Sequence, residues 1–229
     1  MDFGFLNSIL RTEYFPPQDM WFTPYPINYY YFGHLMTAVL TKISAIPSSI
    51  SYNLMLATLF AFTFMGSFSI AVSVVRKVIS KRIILYGLLS SFIVTFSGNL
   101  QTIYSFFKLY DVENVVPFWN LPLALATFPN SYWYPNATRF IYHTIHEFPI
   151  YSFVVSDLHG HVLSIPLVLL TIAFLVNLFF DRIINVKKII ILSFFLSLSY
   201  MTNAWDSIIY FGLSLFVILL KLVVVFALV

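Results

Sequence analysis

Cysteine is absent from the 229-residue chain. That removes a disulfide framework and thiolate metal sites from consideration and gives no sign of the redox compartment. Charge is scarce as well: Asp, Glu, Lys and Arg make up 9% of the residues, against 60% hydrophobic and 20% aromatic. Soluble domains carry about 25% charged residues, so this composition excludes one and points to a polytopic membrane protein. The net charge of +3 is small, and the few basic clusters are short and sit between apolar stretches, which disfavours nucleic acid as a partner. A cleavable signal peptide is not visible, because Met1 is followed by Asp2 and a mixed segment instead of a basic stretch with an apolar core.

What is present is a series of long apolar runs. A helix needs about 20 residues to cross a bilayer, and five stretches meet or approach that length: 49 to 75, 83 to 107, 162 to 180, 189 to 207 and 208 to 229. Seven of the twelve basic residues, Arg76, Lys77, Lys81, Arg82, Arg182, Lys187 and Lys188, fall in two short loops. The positive-inside rule places both loops in the cytoplasm. Residues 1 to 48, 108 to 161 and the turn near 203 to 208 are then expected outside. Of the nine acidic residues only Asp181 would be inside.

The run YYYFGHLMTAVLTKIS, 29 to 44, is too short to span and would invert every later segment if it did. It reads as an interfacial helix on the outer leaflet. The fold class is therefore all-α, a polytopic helical membrane protein of about five transmembrane helices plus an outer interfacial helix. It is expected to form a single membrane domain over 1–229. An outer loop carrying the interfacial helix covers 1–48, two spans cover 49–107, a second outer loop covers 108–161, and three spans cover 162–229. The last run is still apolar at Val229, so the chain reads as a fragment of a longer protein.

The outer segments hold the chemistry. Asp2 precedes a run of Phe3, Leu6, Ile9 and Leu10 that would hold it at the membrane surface. In DLHGH, the residues Asp157, His159 and His161 alternate. An extended backbone would project them to one side, where they suit a divalent cation or proton transfer. Arg139 and Glu147 belong to the same loop, and His34 to the interfacial run. Asn203, Trp205 and Asp206 interrupt the apolar hairpin at TNAWD, while Asn99 and Gln101 reach the same level from the second span. A carboxylate at the bilayer edge is costly unless paired, so these groups are expected to line a shared outer site. The tyrosines 29 to 31 and Trp205 also fit an aromatic belt.

The elements PINYYYFGHL, AIPSSISYNLMLATLFA, HEFPIYSFVVSDLHGHVLSIPL and TNAWD resemble the YYY-domain family of bacterial and archaeal multi-spanning membrane proteins. That family is distantly similar in layout to the type C glycosyltransferases. The resemblance implies a plasma-membrane enzyme, multi-pass, with its motif loops extracytoplasmic, which takes a polyprenyl-phosphate-linked sugar. It makes Asp2, Asp157 and His159 the candidate catalytic residues. Arg139 is placed for the donor phosphate, because a guanidinium binds phosphate oxygens in two places. Tyr30, Tyr31 and Trp133 are candidate sugar-stacking faces, and His34, Glu147, Asn203, Trp205 and Asp206 further substrate contacts. A divalent metal, Mg or Mn, would be held by Asp157, His159 and His161. Two other classes compete: a transporter or flippase, disfavoured by nearly clean mid-span regions apart from Lys221, and a metal-dependent membrane hydrolase built on the same three residues.

Overall fold

The computed structural model describes residues 1–78, 81–108, 116–128, 137–139, 143–181 and 183–227. Nine α-helices occur among them: α1 (Asp2–Arg11), α2 (Phe32–Ser44), α3 (Ser48–Val78), α4 (Ile83–Thr95), α5 (Gln101–Tyr104), α6 (Pro149–Val155), α7 (Gly160–Phe180), α8 (Val186–Thr202) and α9 (Ala204–Ala227). Two short 3-10 turns, Phe118–Asn120 and Leu125–Thr127, lie in the long loop. No β-strand is present among the described residues, so the protein is an all-helical membrane protein.

Among the described residues three helices are long and apolar enough to cross a bilayer, fewer than the five expected: α3, α7 and α9 over Ala204–Val223. The expected second span breaks early. Helix α4 has 13 residues, about 20 Å at 1.5 Å per residue, short of the roughly 30 Å hydrocarbon core. It stops because the chain turns at Ser97 and Gly98 to meet α6. Ile150 N donates to Ser97 O at 3.3 Å, and a Cβ on Gly98 would sit 2.2 Å from Ile150 Cγ2. Helix α8, with 17 residues, ends at Asn203, whose extended φ of −156° starts the turn into α9.

Helices α3 and α7 form the centre. Helix α3 packs on α4 and α7, and α7 packs on α8 and α9, while α2 rests against α1, α3, α7 and α8. Apart from Leu56 and Leu59 of α3, the buried positions on α2, α3 and α4 are small or polar. They are Gly87, Ser91 and Thr95 of α4, Ser51, Thr63 and Ser67 of α3, and Gly33, His34, Thr37, Ala38 and Thr41 of α2. Large apolar residues of α2 and α4 point outward, with Met36, Val39, Leu40 and Ile43 of α2 and Leu88, Phe92 and Ile93 of α4 all exposed. This inversion suits helices in lipid, where burial of apolar area between them gains little and small residues allow close backbone approach. The hydroxyls of Thr63, Ser67 and Ser91 bond back into their own helices, as Ser91 Oγ does to Gly87 O at 2.9 Å.

The polarity of the bundle is set by its helix ends. Lys77 of α3 lies over the Phe180 ring at the end of α7, and Lys221 of α9 donates to Leu178 O at 2.6 Å and to Asp181 O. Lys188 pairs with Asp181 there as well. Both basic loops therefore share one end. The other end, where α7 begins, gathers Asp2, Glu147, Asp157 and Asp206. Lys221, the apparent mid-span exception in the sequence, instead caps the last carbonyls of α7.

Candidate functional site at the acidic end

Helix α1 buries Asp2, Phe5, Leu6 and Ile9, a spacing of 3, 1 and 3 that makes one helical stripe. Asp2 occupies the first position of an otherwise apolar stripe and is only 7% exposed. Phe5 takes the inward place that the sequence suggested for Phe3, which is exposed and sets its ring edge-on to Tyr52 at 5.6 Å. The Asp2 carboxylate is satisfied by two rings from distant segments: His34 Nε2 and His159 Nδ1 each lie 3.1 Å from its Oδ1. On the far side of its ring, His159 Nε2 lies 2.9 Å from Tyr29 Oη.

The DLHGH element is held by a turn that the residue types alone do not announce. Ser156 adopts a left-handed conformation, φ 57° and ψ 46°, unusual for a side-chain-bearing residue. Tyr52 of α3 clamps it by donating to Ser156 O at 3.2 Å and accepting from Leu158 N at 3.1 Å. Leu158 is fully buried among Leu56, Leu59, Val162 and Leu163, so its neighbours Asp157 and His159 face away from that core. His159 then begins α7, its carbonyl accepting from Val162 N and Leu163 N at 3.1 Å each. Gly160 is obligatory: a Cβ there would lie 2.4 Å from the Tyr30 ring and 3.0 Å from Thr202 O.

A second line runs beside the first. His161 Nε2 lies 2.6 Å from Ser152 Oγ, and its Nδ1 lies 2.8 Å from Glu147 Oε2, a polar contact too bent to be a hydrogen bond. Ser152 is fully buried, so this Ser–His–Glu line is a scaffold with no access to its hydroxyl. The rings of His159 and His161 are 5.6 Å apart, which joins the two lines.

The electrostatics separate the carboxylates. Burial alone would raise Asp2, but the hydrogen bonds and charge of His159 and His34 outweigh it and hold the group well below the usual carboxylate range. His159 is pushed up in turn, first by its bond to Asp2. Glu147 is lowered by its contact with His161. Asp157 moves the other way, raised chiefly by burial and further by the negative Asp2 and Glu147, against the opposing effect of His161 and His159. Its side chain makes no hydrogen bond among the described residues.

Two sets of donor atoms fall within 4.8 Å of one another: Glu147, His159 and His161, and Asp2, Asp157 and His159. The expected trio Asp157, His159 and His161 is thus divided, with His159 common to both sets. Carboxylate oxygens with imidazole nitrogen suit a divalent cation. The 3.1 Å between Asp2 Oδ1 and His159 Nδ1 allows both to bind one ion at about 2.1 Å.

The remaining candidates divide as well. His34 is fully buried behind Asp2, which makes it a positioning residue and not a substrate contact. Tyr30 packs on Gly160 and on Tyr29, ring centroids 3.9 Å apart, and Tyr31 precedes α2 and packs on the core around Phe5. Asp206 stands apart from Asp2: it accepts from Ser164 Oγ at 2.5 Å and from Asn203 Nδ2 at 3.1 Å, one turn along α7 from His161. Trp205 is 72% exposed, and Arg139 is exposed too. Asn99 turns to Ala137 O at 2.9 Å. Trp133 lies outside the described residues. A cavity of about 820 Å³ opens along α1 between Asn7, Arg11, Glu13 and Asp19, but none of the clustered carboxylates or histidines lines it. The geometry of the cluster therefore locates the candidate chemistry better than the size of that cavity. Tyr29 reads from sequence only as a belt residue and Tyr52 is not singled out at all; both make hydroxyl contacts across more than 100 positions.

The fold and the cluster define a polytopic helical membrane protein whose ionisable groups converge at one end of its bundle. The chain belongs to the family described as Uncharacterized membrane protein (DUF2298), whose model matches residues 1–226. No curated protein and no solved structure matches the chain.

Proposed function

We propose that the protein is a membrane glycosyltransferase that takes a polyprenyl-phosphate-linked sugar at the acidic end of the bundle. The observation that carries this reading is the convergence of Asp2, from the start of α1, with Asp157 and His159, from the turn before α7, onto a single spot at the mouth of a spanning helix. Glycosyl transfer needs a base for the acceptor hydroxyl and positive charge for the departing phosphate. Asp157 fits the base: burial raises it toward working pH, and its oxygens are uncommitted. Asp2 is a poor proton acceptor because its two histidines stabilise the ionised form. Its role is to orient His159 and keep that ring cationic, facing the phosphate.

In the reaction the acceptor hydroxyl gives its proton to Asp157 as its oxygen bonds the anomeric carbon, and the sugar–phosphate bond breaks to release polyprenyl phosphate. A divalent cation such as Mn or Mg would take the place of that imidazolium: Asp2, Asp157 and a neutral His159 would hold it, and it would supply the positive charge for the phosphate as Lewis acidity. The apolar outer faces of α2 and α3 provide a path for the lipid tail.

The test is transfer from a panel of radiolabelled polyprenyl-phosphate sugars by the full chain in membranes. Asp157→Asn is expected to lower the rate about 10²–10⁴-fold, the usual contribution of a general base. Neither transfer nor hydrolysis of any donor, or an unimpaired Asp157→Asn variant, would sink the proposal. The two carboxylate–histidine sets also favour a second reading, a metal-dependent hydrolase with water as acceptor. It predicts a stoichiometric metal that is lost in His159→Ala. Transport has less support, since Lys221 caps α7 and does not mark a polar path through the spans.

A further inference from the structure

A second polar site lies at the opposite end of the bundle. Helices α3 and α7 touch closely at Gly66, where an added Cβ would come within 3.1 Å of Leu169 Cδ1. Toward the basic end they leave a groove of about 360 Å³, with Ser69, Ser73, Lys77 and Asn177 among its lining residues and Ile70 and Val176 on its walls.

These polar groups are unlike the others in the spans. Thr63, Ser67 and Thr171 bond back to carbonyls of their own helices at 2.7, 2.6 and 2.8 Å. The side chains of Ser69, Ser73 and Asn177 make no hydrogen bond among the described residues, and all three are exposed on the outside of two helices long and apolar enough to cross a bilayer. Unpaired polar groups in such a place carry a free-energy cost that a polar occupant removes. All four lining side chains donate hydrogen bonds, one of them with a full positive charge. Lys77 is steadied over the Phe180 ring at 4.4 Å. No carboxylate among the described residues lines the groove, and Asp181 nearby is taken by Lys188. Arg76, Lys81 and Arg82 are exposed at the same end.

We propose that this groove binds the phosphate headgroup of an anionic phospholipid from the leaflet at the basic end. Lys77, Ser73 and Asn177 hold the phosphate oxygens, and the acyl chains follow Ile70 and Val176 toward the bilayer centre. Lipid is the occupant because the groove opens sideways between two spanning helices, and because donors with a positive charge and no opposing carboxylate complement a phosphodiester. This site stands independently of the chemistry at the acidic end.

The test extracts the full-length chain from bilayers of phosphatidylcholine with a minority of phosphatidylglycerol and measures the phosphatidylglycerol that stays bound. Wild-type protein is expected to retain it selectively. Lys77→Gln should retain about fivefold less, the factor for one lost charge near an anionic headgroup, and Lys77→Arg should restore it. Lys81→Gln, outside the groove, should change retention less than about twofold, with circular dichroism confirming that each variant is folded. Equal retention of both lipids would overturn the proposal. So would an equal loss in Lys81→Gln, which signals diffuse surface attraction, or displacement by inorganic phosphate, which signals a site for a free anion.

Discussion

Removing the Asp2 carboxylate should unlock the acidic end and move the titration of His159 together with stability. Asp2 accepts two bonds from histidines while nearly buried. A charge-assisted hydrogen bond contributes about 1 kcal/mol more than a neutral one, so Asp2→Asn, which keeps the shape and loses the charge, should cost about 2 kcal/mol over the two bonds. Asp2→Ala also strands His34, whose other nitrogen already has no partner; breaking a buried pair in this way costs about 3–5 kcal/mol. At 2–4 °C per kcal/mol for a chain of this length, the alanine variant should melt roughly 10 °C lower in detergent.

The pH dependence is more discriminating. His159 is raised in the folded state by Asp2, so its contribution is complete below the unfolded histidine value near 6.5 and fades as pH rises through the higher folded value. Asp2 is lowered, so its contribution is complete above about 3.9 and fades only as pH falls through the depressed folded value. Stability from the pair should therefore peak between about pH 4 and 6.5. In Asp2→Asn the alkaline decline attributable to His159 should shrink, and histidine-selective NMR should show the ring titrating closer to 6.5. An unchanged His159 titration in Asp2→Asn would refute the coupling, whatever the melting temperature does.

Three further perturbations follow from the same geometry. Gly160→Ala forces the Tyr30 ring and the Thr202 carbonyl apart and should destabilise the protein by about 1–3 kcal/mol as overpacking does, measured by thermal unfolding. Transfer activity should fall on the acid side as Asp157 protonates, with the limb above the ordinary carboxylate value because burial raises this group; Asp157→Glu in the same profile should keep that limb and shift it. Glu147→Gln should abolish the stability that Glu147 loses as pH falls through its lowered folded value, seen as a flatter melting temperature below pH 4.5.

The membrane class was legible in composition, and the long apolar runs located α3, α7 and α9 to within a few residues. The count of five is too high in part because residues 96 to 107 carry Ser97, Asn99, Gln101, Thr102 and Ser105 and are less apolar than a span. Ser97 and Gly98 are moreover occupied by contacts with α6, and the hydrogen bond from Ile150 N to Ser97 O redirects the chain. The run 29 to 44, read as an interfacial helix on the outer leaflet, forms α2 over Phe32–Ser44, with Gly33, His34, Thr37, Ala38 and Thr41 buried against the protein and Met36, Val39, Leu40 and Ile43 exposed. In lipid the helix periodicity survives but its polarity reverses, so the small and polar residues mark the packed side.

That reversal also explains how much of the site could be read. Asp2, Asp157 and His159 were visible because a charged group at a membrane edge demands a partner. A shared site was expected for them, but not the pairing of Asp2 with His159, which joins residues 157 positions apart. The contribution of Tyr29 and Tyr52 was hidden for a different reason. In a chain with 15 tyrosines, a hydroxyl that fixes a ring or clamps a left-handed serine looks the same as one that merely sits in the aromatic belt. The alternation in DLHGH was read as one ligand set on an extended strand, but the backbone changes from extended to helical at His159. Asp157 and His159 therefore turn away from buried Leu158 toward Asp2, while His161, two residues into a helix, is carried round to Glu147 and Ser152. One conformational boundary thus divides a three-residue motif between two networks, with His159 the side chain common to both sets of ligand atoms among the described residues, and it is there that a single substitution should disturb the most chemistry.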